Sequence, residues 1–344
     1  MHMTTKDNKK KSNNVTIVDV AEMCGVSVKT VSRVVNQDSN VSERTRQKIL
    51  DAIKKTGYQV NMFARGLKGQ KTNIIMIFTD RHGEEHLSNW HTLMLKYLFR
   101  YAKENGMKVV MSPSNSTRCV DDDTDGFTLL ANGMADGVIL LENVHSDPRA
   151  VYFREHNIPY VMFGEPDDDE TYAVSLDNYQ VGYKGGKYLT GCRYRNVAFL
   201  VGEEKFLSTQ NRIKGFKDSV KGKEGKYKVY TGVNSIQLAY EKAKELLETE
   251  NPDAFFVSGD ERALGVYQAI HENGLRIPED VAVLGVDNIP IGKYYYPRIS
   301  TIDQNFEQLA KECIDRLVKL IRGEKIEGGK VIEFQPEVLE REST

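Results

Sequence analysis

The 344 residues contain no apolar run long enough to span a membrane, and the first residues lack the hydrophobic core of a signal peptide. A membrane or secreted protein is therefore not expected, and a cytoplasmic one is. Cysteine is scarce: Cys24, Cys119, Cys192 and Cys313 are scattered and lack the spacing of metal ligands. In a reducing compartment such residues are ordinary thiols rather than a disulfide framework. Nucleotide signatures are missing as well. No Gly-x-Gly-x-x-Gly follows an apolar run, and Lys184-Gly-Gly-Lys187, in a helical pattern, has the wrong spacing for a phosphate-cradling loop. No nucleophile, base and acid announce themselves as a set. The expectation is thus of no cofactor, no metal and no catalytic residue.

Two short runs imitate metal sites. His82-Gly-Glu-Glu-His86 matches the ligand pattern of one zinc protease group, but it follows an apolar strand directly and contains Gly83, which argues for a loop. Asp121-Asp-Asp-Thr-Asp125-Gly126 resembles the first half of a calcium loop. Its twelfth position is Asn132, where a bidentate glutamate is needed, so a solvated acidic loop is expected instead.

What is present is unevenly distributed. The net charge of −2 hides a basic N-terminal stretch: residues 1–71 carry 14 Lys/Arg against 6 Asp/Glu, leaving 33 against 43 for the remainder. A small basic module on a larger acidic one suits a nucleic-acid reader tethered to a domain with other tasks. The run from Thr16 to Asn36 encodes two short helices. Thr16 and Ser27 are good N-caps, and Gly25 permits a tight turn between them. Val20, Ala21, Val26, Val31, Val34 and Val35 recur at helical spacing and can bury one face. Val28, Lys29, Ser32, Arg33 and Asn36 are left on the other face of the second helix. Ser42 caps a third helix, Glu43 to Thr56, whose Ile49, Ala52 and Ile53 complete a three-helix core. This is a helix-turn-helix pattern.

These residues, with the core Val26-Ser-Val-Lys-Thr-Val-Ser-Arg-Val-Val-Asn36 and the following Asn61-Met-Phe-Ala-Arg-Gly-Leu67, closely resemble the headpiece of the lactose repressor/purine repressor family. Family-like positions continue to Arg341-Glu342-Ser343. The resemblance implies that Val28 and Lys29 set operator preference beside Arg33, whose guanidinium can pair bidentately with guanine. Thr16, Ser27, Ser42 and Asn36 are expected to bind phosphates, with Ser32 on the same face. It also implies that Asn61, Ala64 and Leu67 belong to a hinge helix in the minor groove, with Leu67 wedged between base pairs. Val60 stands where proline is frequent and Gly66 weakens an isolated helix, so this hinge is expected to order only on DNA.

Beyond the hinge, short apolar runs alternate with helical patterns: Ile74–Phe78, a helix over Leu93–Glu104, Lys108–Met111, Gly137–Leu141 and Pro159–Phe163. The pattern restarts after Asp177 with helices near Tyr179–Thr190 and Asn211–Lys221 and runs at Val197–Val201, Lys228–Tyr230, Ala254–Ser258 and Val281–Val286. Such alternation predicts two doubly wound α/β lobes. The resemblance implies a periplasmic-binding-protein-like core in which the chain crosses between the lobes three times, returning to the first after about residue 303, with a ligand in the cleft. The expected organisation is a tail over 1–14, a headpiece over 15–60, a hinge and linker over 61–72, and a core over 73–344. Within the core, the first lobe is assigned 73–175 and 303–331, and the second 176–302 and 332–344.

By position, Ser88, Asn89, Trp90 and His91 match the family's effector-contacting loop after the first strand. Trp90 is the only tryptophan, and an indole face stacks well on a sugar ring. Arg212, in Arg-Ile-Lys-Gly-Phe216, matches an arginine that forks onto effector oxygens, and Asp287 matches an acceptor of ligand hydroxyls. Asn234, Gln304 and Asp260 are further candidates. Glu165 departs from a common aspartate pair, and Gly259 stands where asparagine is frequent; the small residues leave room for a ligand as large as a disaccharide.

The sequence therefore reads as a ligand-responsive repressor of sugar-utilisation genes that binds a palindromic operator. Lacking C-terminal leucine heptads after Arg322-Gly-Glu324, where only Val331–Phe334 reads as a further strand, it is expected to be a homodimer. A nucleobase-responsive regulator and a sugar-processing enzyme with a DNA module are the alternatives. The sign of the effector's action on DNA binding is not readable.

Overall fold

A computed structural model describes residues 15–35, 38–59, 71–80, 87–116 and 125–344, and the chain divides between residues 70 and 71 into two compact units. In the N-terminal unit, helix α1 (Ile17–Cys24) starts with a reciprocal cap: Asp19 N donates to Thr16 Oγ1 while Thr16 N donates to Asp19 Oδ2. Gly25, in the left-handed region, ends it. Ser27 Oγ accepts from Thr30 N and opens α2 (Val28–Val35), and Ser42 does the same for α3 (Glu43–Thr56). Val20, Ala21, Cys24, Val31, Val34, Ile49 and Ala52 form the buried core, with Val26, Val35 and Ile53 packed at its margin. The helical period of that core leaves Val28, Lys29 and Arg33 exposed and Ser32 half-buried on α2.

The second unit is built on two sheets. In the first lobe, β1 (Ile74–Asp80), β2 (Lys108–Ser114), β3 (Gly137–Leu141), β4 (Tyr160–Phe163) and β5 (Ala173–Leu176) are joined by β11 (Val331–Phe334) in the order β11-β5-β4-β3-β1-β2, every pairing parallel. Helices α4 (Asn89–Glu104), α5 (Phe127–Ala131), α6 (Pro148–Glu155) and α11 (Phe306–Arg322) accompany it. In the second lobe, β6 (Asn196–Leu200), β7 (Lys226–Tyr230), β8 (Ala254–Val257), β9 (Ala282–Asp287), β10 (Ser300–Asp303) and β12 (Glu337–Leu339) run in the order β12-β10-β9-β8-β6-β7. Only β12 is antiparallel to its neighbour in these pairings. Helices α7 (Asn178–Gly191), α8 (Leu207–Val220), α9 (Ile236–Thr249) and α10 (Asp260–Glu272) complete this lobe. Apolar clusters made of strand and helix residues hold each sheet, as parallel sheets covered on both faces require.

Four of the differences from the sequence reading have a clear physical reason. Strand β5 is four residues long, like β4 and β8, but Ser175 interrupts its apolar run. Strand β10 is half polar, yet Ser300 and Thr301 are fully buried because their hydroxyls have partners: Ser300 Oγ meets Thr344 Oγ1 at 2.7 Å and Thr301 Oγ1 donates to Asp260 Oδ1 at 2.7 Å. Helix α4 begins four residues before Leu93, because Ser88 and His91 form a capping box with histidine in the place usually taken by Glu or Gln. Finally, β11 pairs with β5 in the first lobe and a further strand, β12, follows it. The return to the second lobe thus falls after Phe334 rather than at residue 332.

Candidate ligand cleft and nucleic-acid interface

Between the lobes lies a cavity of about 190 Å3, walled by the carboxyl ends of strands from both sheets and by the N-terminal turns of α4 and α8. This is where open α/β sheets ordinarily place ligands. The first-lobe wall carries Trp90, Phe163 and a chain of polar groups. His91 Nδ1 accepts from Ser88 N and lies 2.8 Å from Ser88 Oγ, while its Nε2 sits 3.0 Å from Glu142 Oε1. Glu142 Oε2 in turn accepts from Asp80 N at 3.1 Å. Trp90 packs against Phe163 (ring centroids 5.6 Å) and Phe306 (6.1 Å), and its Nε1 donates to Gln304 Oε1 at 3.5 Å. The indole is therefore anchored in the first-lobe core while still lining the cavity.

The second-lobe wall is organised by Arg212. Its Nε donates to Asn178 Oδ1 at 2.9 Å and its Nη1 to Ser258 Oγ at 2.8 Å. Burial pulls this guanidinium's pKa below the ordinary arginine value, an effect that Asp287 opposes. Burial pushes the Asp287 carboxyl up to about 6, against the pull of Arg212, of Arg262 and of a hydrogen bond from Gln304. Asp287 also holds a left-handed φ of 112°, a conformation non-glycine residues rarely adopt. The position of Arg212 follows from the helix pair behind it. A Cβ on Gly182 of α7 would lie 1.9 Å from the Arg212 carbonyl oxygen, and one on Gly215 of α8 would lie 1.9 Å from that of Tyr179. Gly185 and Gly186 of the Lys184-Gly-Gly-Lys187 run lie in the same helix, where a Cβ would meet the Phe256 ring at 2.4 Å and Ser219 Oγ at 2.0 Å.

Glu165 bridges the walls. It accepts from Asn178 Nδ2 at 3.4 Å and makes a short hydrogen bond with Asn211, both second-lobe residues. Burial raises its pKa, opposed by the Asn178 hydrogen bond. Gly164 before it and Gly259 across the cleft have φ of 141° and 144°, so backbone conformation as well as space selects glycine there.

Of the residues singled out from sequence, Ser88, Trp90, His91, Glu165, Arg212, Asn234, Asp287 and Gln304 line the cavity. Two do not. Asn89 is exposed, and it is its backbone N–H that donates, at 2.8 Å, to Glu261 of the other lobe. Asp260 is fully buried beneath the strand ends, accepting from Ile289 N at 3.0 Å and Thr301 Oγ1 at 2.7 Å. As the first residue of α10, its side chain turns back toward β9 and β10, and burial with the nearby Asp287 holds its pKa well above the usual carboxylate range. Glu142, Asn178, Glu203, Ser258, Glu261 and Arg262 also line the cavity and were missed. Their one common signal is position: most stand within the first few residues after an apolar run ends.

In the N-terminal unit the candidate phosphate-binding hydroxyls already act as caps. Thr16 Oγ1 donates to Asp19 Oδ2 at 2.7 Å, whereas Ser27 Oγ and Ser42 Oγ sit 2.9 Å from the hydroxyls of Thr30 and Thr45. Arg33 Nε lies 3.6 Å from Asp38 Oδ2, a half-exposed pair of the kind worth at most about 1 kcal/mol. Asn36, Asn61, Ala64 and Leu67, the His82–His86 run and most of the Asp121–Gly126 run lie outside the described residues. Among the described residues no helix is long and apolar enough to cross a membrane.

A three-helix unit with a solvent-facing second helix, followed by a two-lobed core with a polar cleft, defines a DNA-binding regulator with a small-molecule sensor. Residues 16–61 match the family described as bacterial regulatory proteins, lacI family, and residues 187–344 match the periplasmic binding protein-like domain. The chain thus carries a lacI-family DNA-binding domain and a periplasmic-binding-protein-like domain, and along nearly its whole length it is similar to regulators of that kind. It is 27% identical over 342 residues to the HTH-type transcriptional regulator DegA of Bacillus subtilis (strain 168), covering 96% of this chain and 98% of that one. Its structure is similar to that of the lac repressor dimer bound to operator and the anti-inducer ONPF, with a TM-score of 0.82, 28% identity, and 96% and 99% of the two chains covered. A complex of the transcriptional regulator CelR with cellobiose is also similar, with a TM-score of 0.70, 25% identity, and 96% and 100% covered. These relatives are regulators and not enzymes, so the reading as a sugar-processing enzyme is set aside.

Proposed function

We propose that this protein is a cytoplasmic repressor of sugar-utilisation genes, working as a homodimer on a palindromic operator and switched by a mono- or disaccharide bound between its lobes. The observation that carries the reading is the cavity itself, lined by Trp90 and Phe163 on one wall and by the hydrogen-bonded Arg212 array on the other. A pyranose ring has the matching pair of surfaces, C–H faces and a hydroxyl rim. The likeness to a regulator solved with cellobiose supports a carbohydrate, and the likeness to a repressor dimer on its operator supports the assembly. In this reading Trp90 stacks on the ring, Arg212 and Asp287 hold hydroxyls, and Ser88, His91, Glu165, Asn234 and Gln304 complete the contacts. Val28, Lys29 and Arg33 read bases, while Thr16, Ser27 and Ser42 reach phosphates.

A thermal-shift screen of mono- and disaccharides and nucleobases, followed by operator titration with each hit at fixed salt, tests the proposal. A saccharide that stabilises the protein and changes operator affinity is the expected result; a hit confined to nucleobases would replace the effector class. On the DNA side, Arg33→Ala should cost about 1–3 kcal/mol on the specific operator and much less on random DNA. Equal losses on both would remove Arg33 from base reading.

A further inference from the structure

The charges around the cavity do not balance. Glu142 and Glu165 from the first lobe and Glu203, Glu261 and Asp287 from the second all line it, against the guanidiniums of Arg212 and Arg262 and the imidazole of His91, 3.0 Å from Glu142. Lys205 stands beside this set, 3.3 Å from Glu203 and 2.9 Å from Asp80. The direct hydrogen bonds to three of these carboxylates come from neutral donors, Glu165 from Asn178 and Asn211, Asp287 from Gln304 and Glu261 from the Asn89 amide, while Arg212 and Arg262 offset part of the Asp287 charge from further off. Such donors orient a carboxylate without cancelling its charge. The guanidiniums meanwhile spend donors on protein acceptors, Arg212 on Asn178 and Ser258, Arg262 on the Ser258 carbonyl.

We propose that this lining is a charge filter: the cleft accepts an uncharged or amine-bearing, hydroxyl-rich sugar and turns away uronates and sugar phosphates, with Glu165 and Asp287 as the residues that set the exclusion. This inference rests on the carbohydrate reading above and narrows it. Carboxylates facing the ligand from both walls accept hydroxyl or ammonium protons, but repel a carboxylate or phosphate brought between them in a site of reduced dielectric.

The test uses the intact protein and follows Trp90 fluorescence and thermal stability with matched sets of probes. Glucose, glucosamine, glucuronate and glucose 6-phosphate form one set, and galactose and cellobiose with their amino, uronate and phosphate counterparts form others. For whichever skeleton binds, the uronate and phosphate should bind at least about tenfold more weakly than the neutral or amino form. Glu165→Gln should narrow that gap, raising uronate affinity relative to the neutral sugar, whereas a merely structural defect would weaken both forms together. An unchanged ratio in Glu165→Gln would remove Glu165 from the filter. A uronate or phosphate that binds as tightly as its neutral parent overturns the charge filter and leaves the carbohydrate reading standing. Failure of every carbohydrate in every charge form overturns that reading, and this inference with it.

Discussion

The two walls of the cleft solve the problem of burying polar groups in opposite ways. On the first-lobe wall the polar groups meet one another in a chain, His91 beside Glu142 and Glu142 accepting from the Asp80 amide, with Trp90 and Phe163 next to them. On the second-lobe wall Arg212 and Asp287 interact across the cleft floor without a direct ion pair, each tied to neutral amides or hydroxyls. A buried charge without a close partner is costly, and the cost persists only where something else supplies the missing hydrogen bonds. The difference teaches that the first wall is finished by the protein alone, whereas the second is completed by its ligand.

That contrast can be broken most severely from behind the second wall. In Gly182→Ala the added methyl would meet the Arg212 carbonyl at 1.9 Å, so α7 and α8 must part. Overpacking of this kind costs about 3 kcal/mol, and effector affinity should fall further than global stability accounts for, because Arg212 moves with its helix. Urea unfolding with parallel ligand titration would show it; lost stability with intact effector affinity would mean that the helix contact does not position Arg212.

The next effect is electrostatic. Asp287 in the folded protein titrates near 6, above its unfolded value, so protonation favours the fold. Its contribution is fully present below the unfolded pKa and disappears as pH rises through about 6, a loss on the order of 3 kcal/mol without ligand. Asp287→Asn should flatten that part of the stability profile between about pH 4 and 7 relative to the parent. An identical profile in both proteins would place the titration elsewhere, for example at Asp260, whose pKa is also raised.

The smallest effect belongs to the first wall. Trp90→Phe keeps an aromatic face and loses the donor to Gln304, so effector affinity should fall by about 1 kcal/mol with little change in stability. Isothermal titration beside thermal melting separates the two quantities. A large loss of stability would make Trp90 primarily a core residue, as its contacts with Phe163 and Phe306 also allow.

The DNA-reading unit was legible in detail because helical spacing sorts residues unambiguously: Val31 and Val34 inward, Val28, Lys29 and Arg33 outward. The cleft was legible in part. Arg212, Asp287 and Gln304 stand in recognisable local patterns, but Glu142, Asn178 and Ser258 share only a place at strand ends, a property that carries no period. Asp260 misled for a related reason. At a turn from strand to helix, neighbouring side chains diverge, so Ser258 faces the cavity and Asp260 goes beneath it. The strands missed were β5, whose apolar run a serine interrupts, β10, whose burial rests on paired hydroxyls, and the three-residue β12.

Gln304 follows β10 at the point where the chain passes from the second lobe to the first, and its side chain touches Asp287 of one lobe and Trp90 of the other. A residue in that place works as a fulcrum. A ligand that shifts it by a fraction of an ångström acts on the shortest arm of a lever, and the far edges of the lobes travel the longer one. Small differences in ligand shape near Gln304 would therefore weigh more on lobe orientation than larger differences at the rim, and the output of the switch need not track how tightly a ligand binds.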